Sequence, residues 1–173
     1  KNEQPGGRAS VYKEKGFTFD LGPSWYLMPD VFEKFFAQFG AKPEDFFKLQ
    51  RLDPAYRIFF GKDDHVDLAS DLQKNMALFE QIEPGAAAEL TRYLAQSKYQ
   101  YDVSMQDFLY RDYTSLLQFF NRRMLTEGRK LHVFESLDAY TRRYFKNDKL
   151  RKILEYSMVF LGGAPKNTPA IYS

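Results

Sequence analysis

Cysteine is absent from all 173 residues. Disulfides, thiolate-held metals and a cysteine nucleophile are therefore excluded. Histidine is almost absent: His65 and His132 stand alone, and isolated imidazoles read as hydrogen-bonding side chains rather than zinc ligands. Charge of one sign is also lacking. The 25 Lys+Arg and 23 Asp+Glu leave a net +2, too little for a global field that gathers nucleic acid. No apolar run reaches the ~18 residues of a spanning helix, and no signal peptide is visible. Lys62-Asp63-Asp64 lacks the later ligand positions of a calcium loop and reads as a solvated turn. No internal repeat or low-complexity tract is present. Lys1 is not a methionine, and nothing near Ser173 resembles a closing element; the chain reads as a piece of something longer.

Aromatic residues are what the chain has in excess: 17 Phe and 12 Tyr within a hydrophobic content of 44%. Two uses fit that composition. One is a Phe-rich core. The other is a cavity or membrane face for a large apolar ligand, because such pockets are lined mainly by aromatic and aliphatic side chains.

Periodicity gives a mostly helical α+β chain with a small antiparallel sheet. Ala9–Lys13 and Phe17–Asp20 read as a hairpin turned by Glu14-Lys15-Gly16. Asp30 is the expected cap of a helix carrying Phe32, Phe35, Phe36 and Phe39 on one face, ended by Gly40. Pro43 opens a shorter turn with Phe46 and Phe47. Leu49–Leu52, Tyr56–Phe60 and His65–Leu68 read as strands. From Ser70 onward the pattern is helical. Its stripes are Leu72, Met76, Phe79, then Leu90, Tyr93, Leu94, Ser97, Tyr101, then Leu116, Leu117, Phe120, Met124. Ser136 is the expected cap of a helix with Leu137, Tyr140 and Tyr144. Asp148 is the expected cap of the last helix, which Gly162-Gly163 stops. Arg142-Arg143 and Arg151-Lys152 read as exposed helix faces.

Two glycine motifs carry the chemistry. In Pro5-Gly6-Gly7-Arg8-Ala9, paired glycines let backbone approach a ligand closely, and Arg8 supplies a permanent charge whose fork suits phosphate oxygens. Gly16-Phe17-Thr18-Phe19-Asp20-Leu21-Gly22-Pro23-Ser24 follows. Read alone, the first could be an ordinary turn with a solvated arginine. At this separation the pair resembles the flavin-binding part of the bacterial-type phytoene (carotenoid) desaturases, within the amine-oxidase-like FAD enzymes. Phe160-Leu161-Gly162-Gly163-Ala164-Pro165 resembles the family's Gly-Gly-x-Pro after a helix, and Thr168–Ser173 the start of the return to the flavin domain.

The resemblance implies a piece of a larger α/β, Rossmann-like, two-domain flavoenzyme that binds FAD and takes hydride from a phytoene-like polyene. Residues 1–26 would belong to the FAD-binding domain. Residues 27–69 would form the first helix and strands of the substrate domain, and 70–173 a helical substrate and membrane-associated domain. No GxGxxG occurs in the chain; in the family that fingerprint precedes the position of Lys1. Gly6, Gly7 and Arg8 would serve the phosphates. Gly22, Pro23 and Ser24 would approach the isoalloxazine ring, with Asp20 bracing the turn. Leu116, Leu117, Phe120 and Met124, rimmed by Arg122, Arg123, Arg129 and Lys130, form either a packed helix or a face lying in a membrane interface. The resemblance favours the interface, and hence a cytoplasmic, peripheral-membrane protein. No catalytic residue is assigned: the carboxylate some family members carry near this helix has no counterpart, and Asp107 and Asp112 lie upstream. Two other readings stay open, another amine-oxidase-like flavoenzyme and a non-catalytic helical module that binds lipid or a partner.

Overall fold

The computed structural model describes residues 7–22, 26–110, 112, 114–115, 127 and 130–173. The chain divides into two compact units, residues 1–50 and 51–173.

In the first unit, β1 (Ser10–Glu14) and β2 (Phe17–Leu21) form a two-stranded antiparallel hairpin. Lys15 and Gly16 both take positive φ, +49° and +82°, which is the two-residue turn whose twist matches flanking strands. That turn fixes the register from Glu14↔Phe17 to Ser10↔Leu21, and Tyr12 packs across from Phe19 with ring centres 6.3 Å apart. Helix α1 spans Pro29–Ala37. Its N-cap is Met28, with Pro29 at the first position and Asp30 inside the first turn, so Asp30 is not the cap expected. Proline suits that position because the first helical N–H has no intrahelical partner. A 3-10 turn at Pro43–Asp45 follows. Tyr26, Phe32, Phe36, Phe46 and Phe47 cluster between the two. Phe35 and Phe39 are exposed, and among the described residues of this unit only Pro43 is buried. These phenylalanines do not build a core within the unit.

The second unit holds the core. β3 (Tyr56–Phe59) and β4 (His65–Leu68) pair antiparallel. Leu49–Leu52 is not a third strand. A short strand needs a ladder partner to stay extended, and among the described residues β3 pairs only with β4. Helices α2 (Leu72–Ile82) and α3 (Ala86–Val103) pack as an antiparallel pair around the Pro84-Gly85 break. Asp71 caps α2 by accepting from the N–H groups of Gln73 and Lys74. A π-helical turn, Ser104–Phe108, extends α3. The expected Leu116–Met124 stripe lies outside the described residues.

Helix α4 (Leu137–Thr141) is capped by Ser136, as expected, through Ala139 N–H. Helix α5 (Asp148–Glu155) is capped by Asn147, one residue earlier than expected. Asparagine's oxygen reaches Lys149 N–H at 2.9 Å, while Asp148 sits in the first turn, where a carboxylate favours the helix dipole. The last apolar stretch breaks at Tyr156-Ser157 before α6 (Met158–Leu161). Phe79, Leu90, Tyr93, Leu137, Tyr140, Phe145 and Leu150 form the buried centre, in which Tyr93 meets Tyr144 and Phe79 meets Phe145 edge to face. The described residues thus form more helix than strand, with two small antiparallel sheets.

Candidate functional site: a glycine–arginine corner and a return loop

The hairpin register carries the first motif to the second. Continuing past Ser10↔Leu21, the next residue of β2's exit is Gly22, which arrives against Arg8 and Ala9. Gly22 has φ +137°, and a Cβ there would collide with the Arg8 carbonyl oxygen and lie 3.0 Å from its carbonyl carbon and 3.5 Å from Ala9 Cα. Only glycine fits such an approach without strain. Gly7 also takes a positive φ, +60°. Arg8 is exposed and makes no ion pair among the described residues. The structure therefore brings Gly22 against the backbone of Arg8 and Ala9, with Gly7 preceding Arg8 in the chain. Gly6, Pro23 and Ser24 lie outside the described residues. Asp20 sits in β2 opposite Val11 and its side chain forms no hydrogen bond among the described residues; the Pro23-Ser24 part of the turn it was expected to brace lies outside them.

This corner suits a phosphate-bearing cofactor. A guanidinium with no carboxylate partner among the described residues is available to an external anion. It projects from backbone that a neighbouring glycine allows to close tightly, which restricts where its charge can go. FAD, with its pyrophosphate, fits that donor chemistry.

The second glycine pair is built differently. Gly162 takes φ +64° and Gly163 N–H reaches back to the Met158 carbonyl while Gly162 N–H reaches that of Val159, the Schellman arrangement that satisfies the last carbonyls of a helix. A Cβ on Gly163 would lie 2.5 Å from Thr168 Oγ1. Thr168 in turn donates to the Ala164 carbonyl at 3.0 Å. The loop so closed lies on the N-terminus of α4: Leu137 N–H donates to Thr168 O at 2.9 Å and Asp138 N–H to Pro165 O at 3.1 Å. An antiparallel bridge pairs Ser136 with Pro169, and Ala170–Tyr172 forms a 3-10 turn. The sequence order thus gives a helix stop followed by a docked return loop.

Three polar features were not legible beforehand. Glu83, at the end of α2, accepts from the backbone N–H groups of Lys146 and Asn147, across more than sixty residues. Arg143, Glu135 and His132 form a chain: Arg143 Nη2 lies 2.6 Å from Glu135, whose other oxygen is 3.0 Å from His132 Nδ1. His132 lines a cavity of about 430 Å³ with Gln96, Tyr99 and Lys130. Finally, Ser173 Oγ donates to Gln100 Oε1 at 2.7 Å on the buried face of α3, where burial pushes the Tyr93 phenol up. The expected stripe held Tyr93 and Ser97 but ended on Tyr101 rather than Gln100, and nothing local pointed to Ser173.

Arg142, Arg143 and Lys152 are exposed, as expected, and the first two pair with Asp138 and Glu135. Arg151 is not an exposed charge: its side chain is 12% exposed and donates to the carbonyls of Phe145 and Lys146, in the connection between α4 and α5.

Residues 1–171 match the family of flavin containing amine oxidoreductases. Over its full length the chain is 45% identical to the carotenoid 3,4-desaturase of Haloarcula japonica, covering 35% of that protein. It is 34% identical to the 4,4'-diapophytoene desaturases (4,4'-diaponeurosporene-forming) of Staphylococcus aureus strains bovine RF122 / ET3-1 and Newman, covering 34% of each. The chain therefore spans about a third of the length of these curated relatives. With nearly every residue matched to the family and the glycine–arginine corner in place, the chain belongs to the flavin containing amine oxidoreductases.

Proposed function

We propose that the protein of which this chain is part is an FAD-dependent carotenoid desaturase, acting on a phytoene-like apolar polyene. The observation that carries this reading is the meeting of the Arg8 backbone with Gly22 in a chain whose full length aligns with carotenoid desaturases. FAD, when bound, supplies the acceptor for the hydride taken from the polyene, and an external oxidant, dioxygen or a membrane quinone, completes the cycle. Gly6, Gly7 and Arg8 hold the phosphates by backbone approach and a charge-assisted hydrogen bond. Gly22, Pro23 and Ser24 form the neighbouring wall of that site. Residues 1–26 then belong to the flavin-binding domain of a two-domain enzyme, 27–69 to the first helix and strands of its substrate domain, and 70–173 to the helical part.

A substrate dissolved in lipid calls for attachment to the bilayer surface. No helix among the described residues is long and apolar enough to cross a membrane. The apolar and basic side chains Leu116, Leu117, Phe120, Met124, Arg122 and Arg123 supply the composition of an interfacial segment, consistent with a peripheral protein on the cytoplasmic face. The test is the purified full-length protein: it should carry flavin absorption, float with liposomes and convert phytoene or 4,4'-diapophytoene. A folded protein without flavin bands refutes the assignment. Turnover of amines but not polyenes would move it to another branch of the family.

A further inference from the structure

We propose that Gly22 serves the cofactor through Arg8: it is a positioning residue, not a space left for the flavin ring. The inference rests on the flavoprotein reading above and concerns what this glycine does within it. Three observations carry it. The two-residue turn Lys15-Gly16 locks the hairpin register. That register delivers Gly22 onto the backbone of Arg8 and Ala9, where a Cβ has no room. The Arg8 side chain is exposed and unpaired among the described residues, so its direction is set by its own backbone, the part that Gly22 meets. The hairpin is therefore a ruler. Its strand length sets the separation of the two motifs in sequence so that they coincide in space. Any side chain at 22 must push the Arg8 carbonyl away and turn the guanidinium with it, because a φ of +137° is also one that L-residues rarely adopt.

The experiment is a double-mutant cycle in the full-length protein, read as the FAD dissociation constant together with the absorption spectrum and reduction potential of whatever flavin stays bound. Arg8→Ala should weaken FAD about 10- to 150-fold, the range of one charge-assisted hydrogen bond. Gly22→Ala should weaken it to a similar extent, with spectrum and potential unchanged. The double variant should bind within about twofold of Arg8→Ala alone. Multiplying fold-losses, or a spectrum or potential displaced in Gly22→Ala, overturns the inference and gives Gly22 a contact of its own with the ring. Should Gly22→Ala not fold, as judged by far-ultraviolet circular dichroism, insertion of one residue between Lys15 and Gly16 replaces it. That change leaves both motifs intact but shifts their register, and undiminished FAD binding there overturns the inference. Wild-type protein devoid of flavin refutes the flavoprotein reading itself, and this inference with it. A flavin-loaded wild type with independent effects of the two substitutions refutes only this one.

Discussion

Glu83 should hold the two ends of the helical unit together. Its carboxylate accepts from Asn147 N–H at 2.7 Å and from Lys146 N–H at 3.1 and 3.2 Å. Asn147 is itself the N-cap of α5, so Glu83 places a negative charge at the positive end of that helix and satisfies donors that α5 cannot. A hydrogen bond to a charged group contributes about 1.5–3 kcal/mol, and an anion at a helix N-terminus about 0.3–1 kcal/mol. The Lys146 bonds are exposed and count for little; the Asn147 bond is partly buried. Glu83→Ala should therefore cost about 2 kcal/mol. Glu83→Gln, which keeps an acceptor but no charge, should cost about half that. Urea denaturation of the full-length protein followed by circular dichroism measures the loss. Hydrogen exchange localises it, with faster exchange expected at the amides of residues 147–151. A loss below about 0.5 kcal/mol for alanine, the scatter of an ordinary surface substitution, refutes the reasoning. So does a glutamine variant as impaired as alanine, because charge and acceptor would then not be the cause.

Three further outcomes follow from neighbouring contacts. Glu155 is held above its ordinary 4.5 by burial, partly offset by the Thr141 hydroxyl. A carboxyl raised by folding favours the folded state below its unfolded value and loses that contribution as pH rises through the folded one. Glu155→Gln should thus match wild type near pH 3 and exceed it in stability at pH 7 to 8; equal pH profiles in urea titrations contradict this. Gly163→Ala should destabilise by about 1–3 kcal/mol through overpacking on Thr168, and Thr168→Ala should relieve most of it, as a thermal-denaturation cycle would show; simple additivity sinks the contact. Arg151→Met, which keeps the stem but not the donors for the Phe145 and Lys146 carbonyls, should cost about 1–2 kcal/mol, whereas Lys152→Met on the exposed side should be near neutral.

What could be read from the chain alone was whatever short-range chemistry dictates. The hairpin followed from Lys15-Gly16 between alternating residues, the α4 cap from Ser136, and the helix stop from Gly162-Gly163, because each depends on φ/ψ preferences and hydrogen bonds within a few residues. Capping by Asn147 rather than Asp148 was missed by one position, since the two side chains offer similar cap chemistry; α1 begins at Pro29, whose fixed φ and missing N–H suit the first helical position, so Asp30 falls inside its first turn. The glycine motifs signalled a flavin protein by their order and spacing. Only the tertiary structure decided which partners those residues meet. Gly22 against Arg8 required a register, Glu83 on the N-terminus of α5 and Ser173 on Gln100 required chain closure over some sixty or seventy residues, and Arg151 became a donor to the α4–α5 connection instead of a surface charge. Such contacts depend on where the packing of Phe79, Tyr93, Tyr140 and Phe145 brings distant backbone groups, and burial of that kind is a collective property no local pattern encodes.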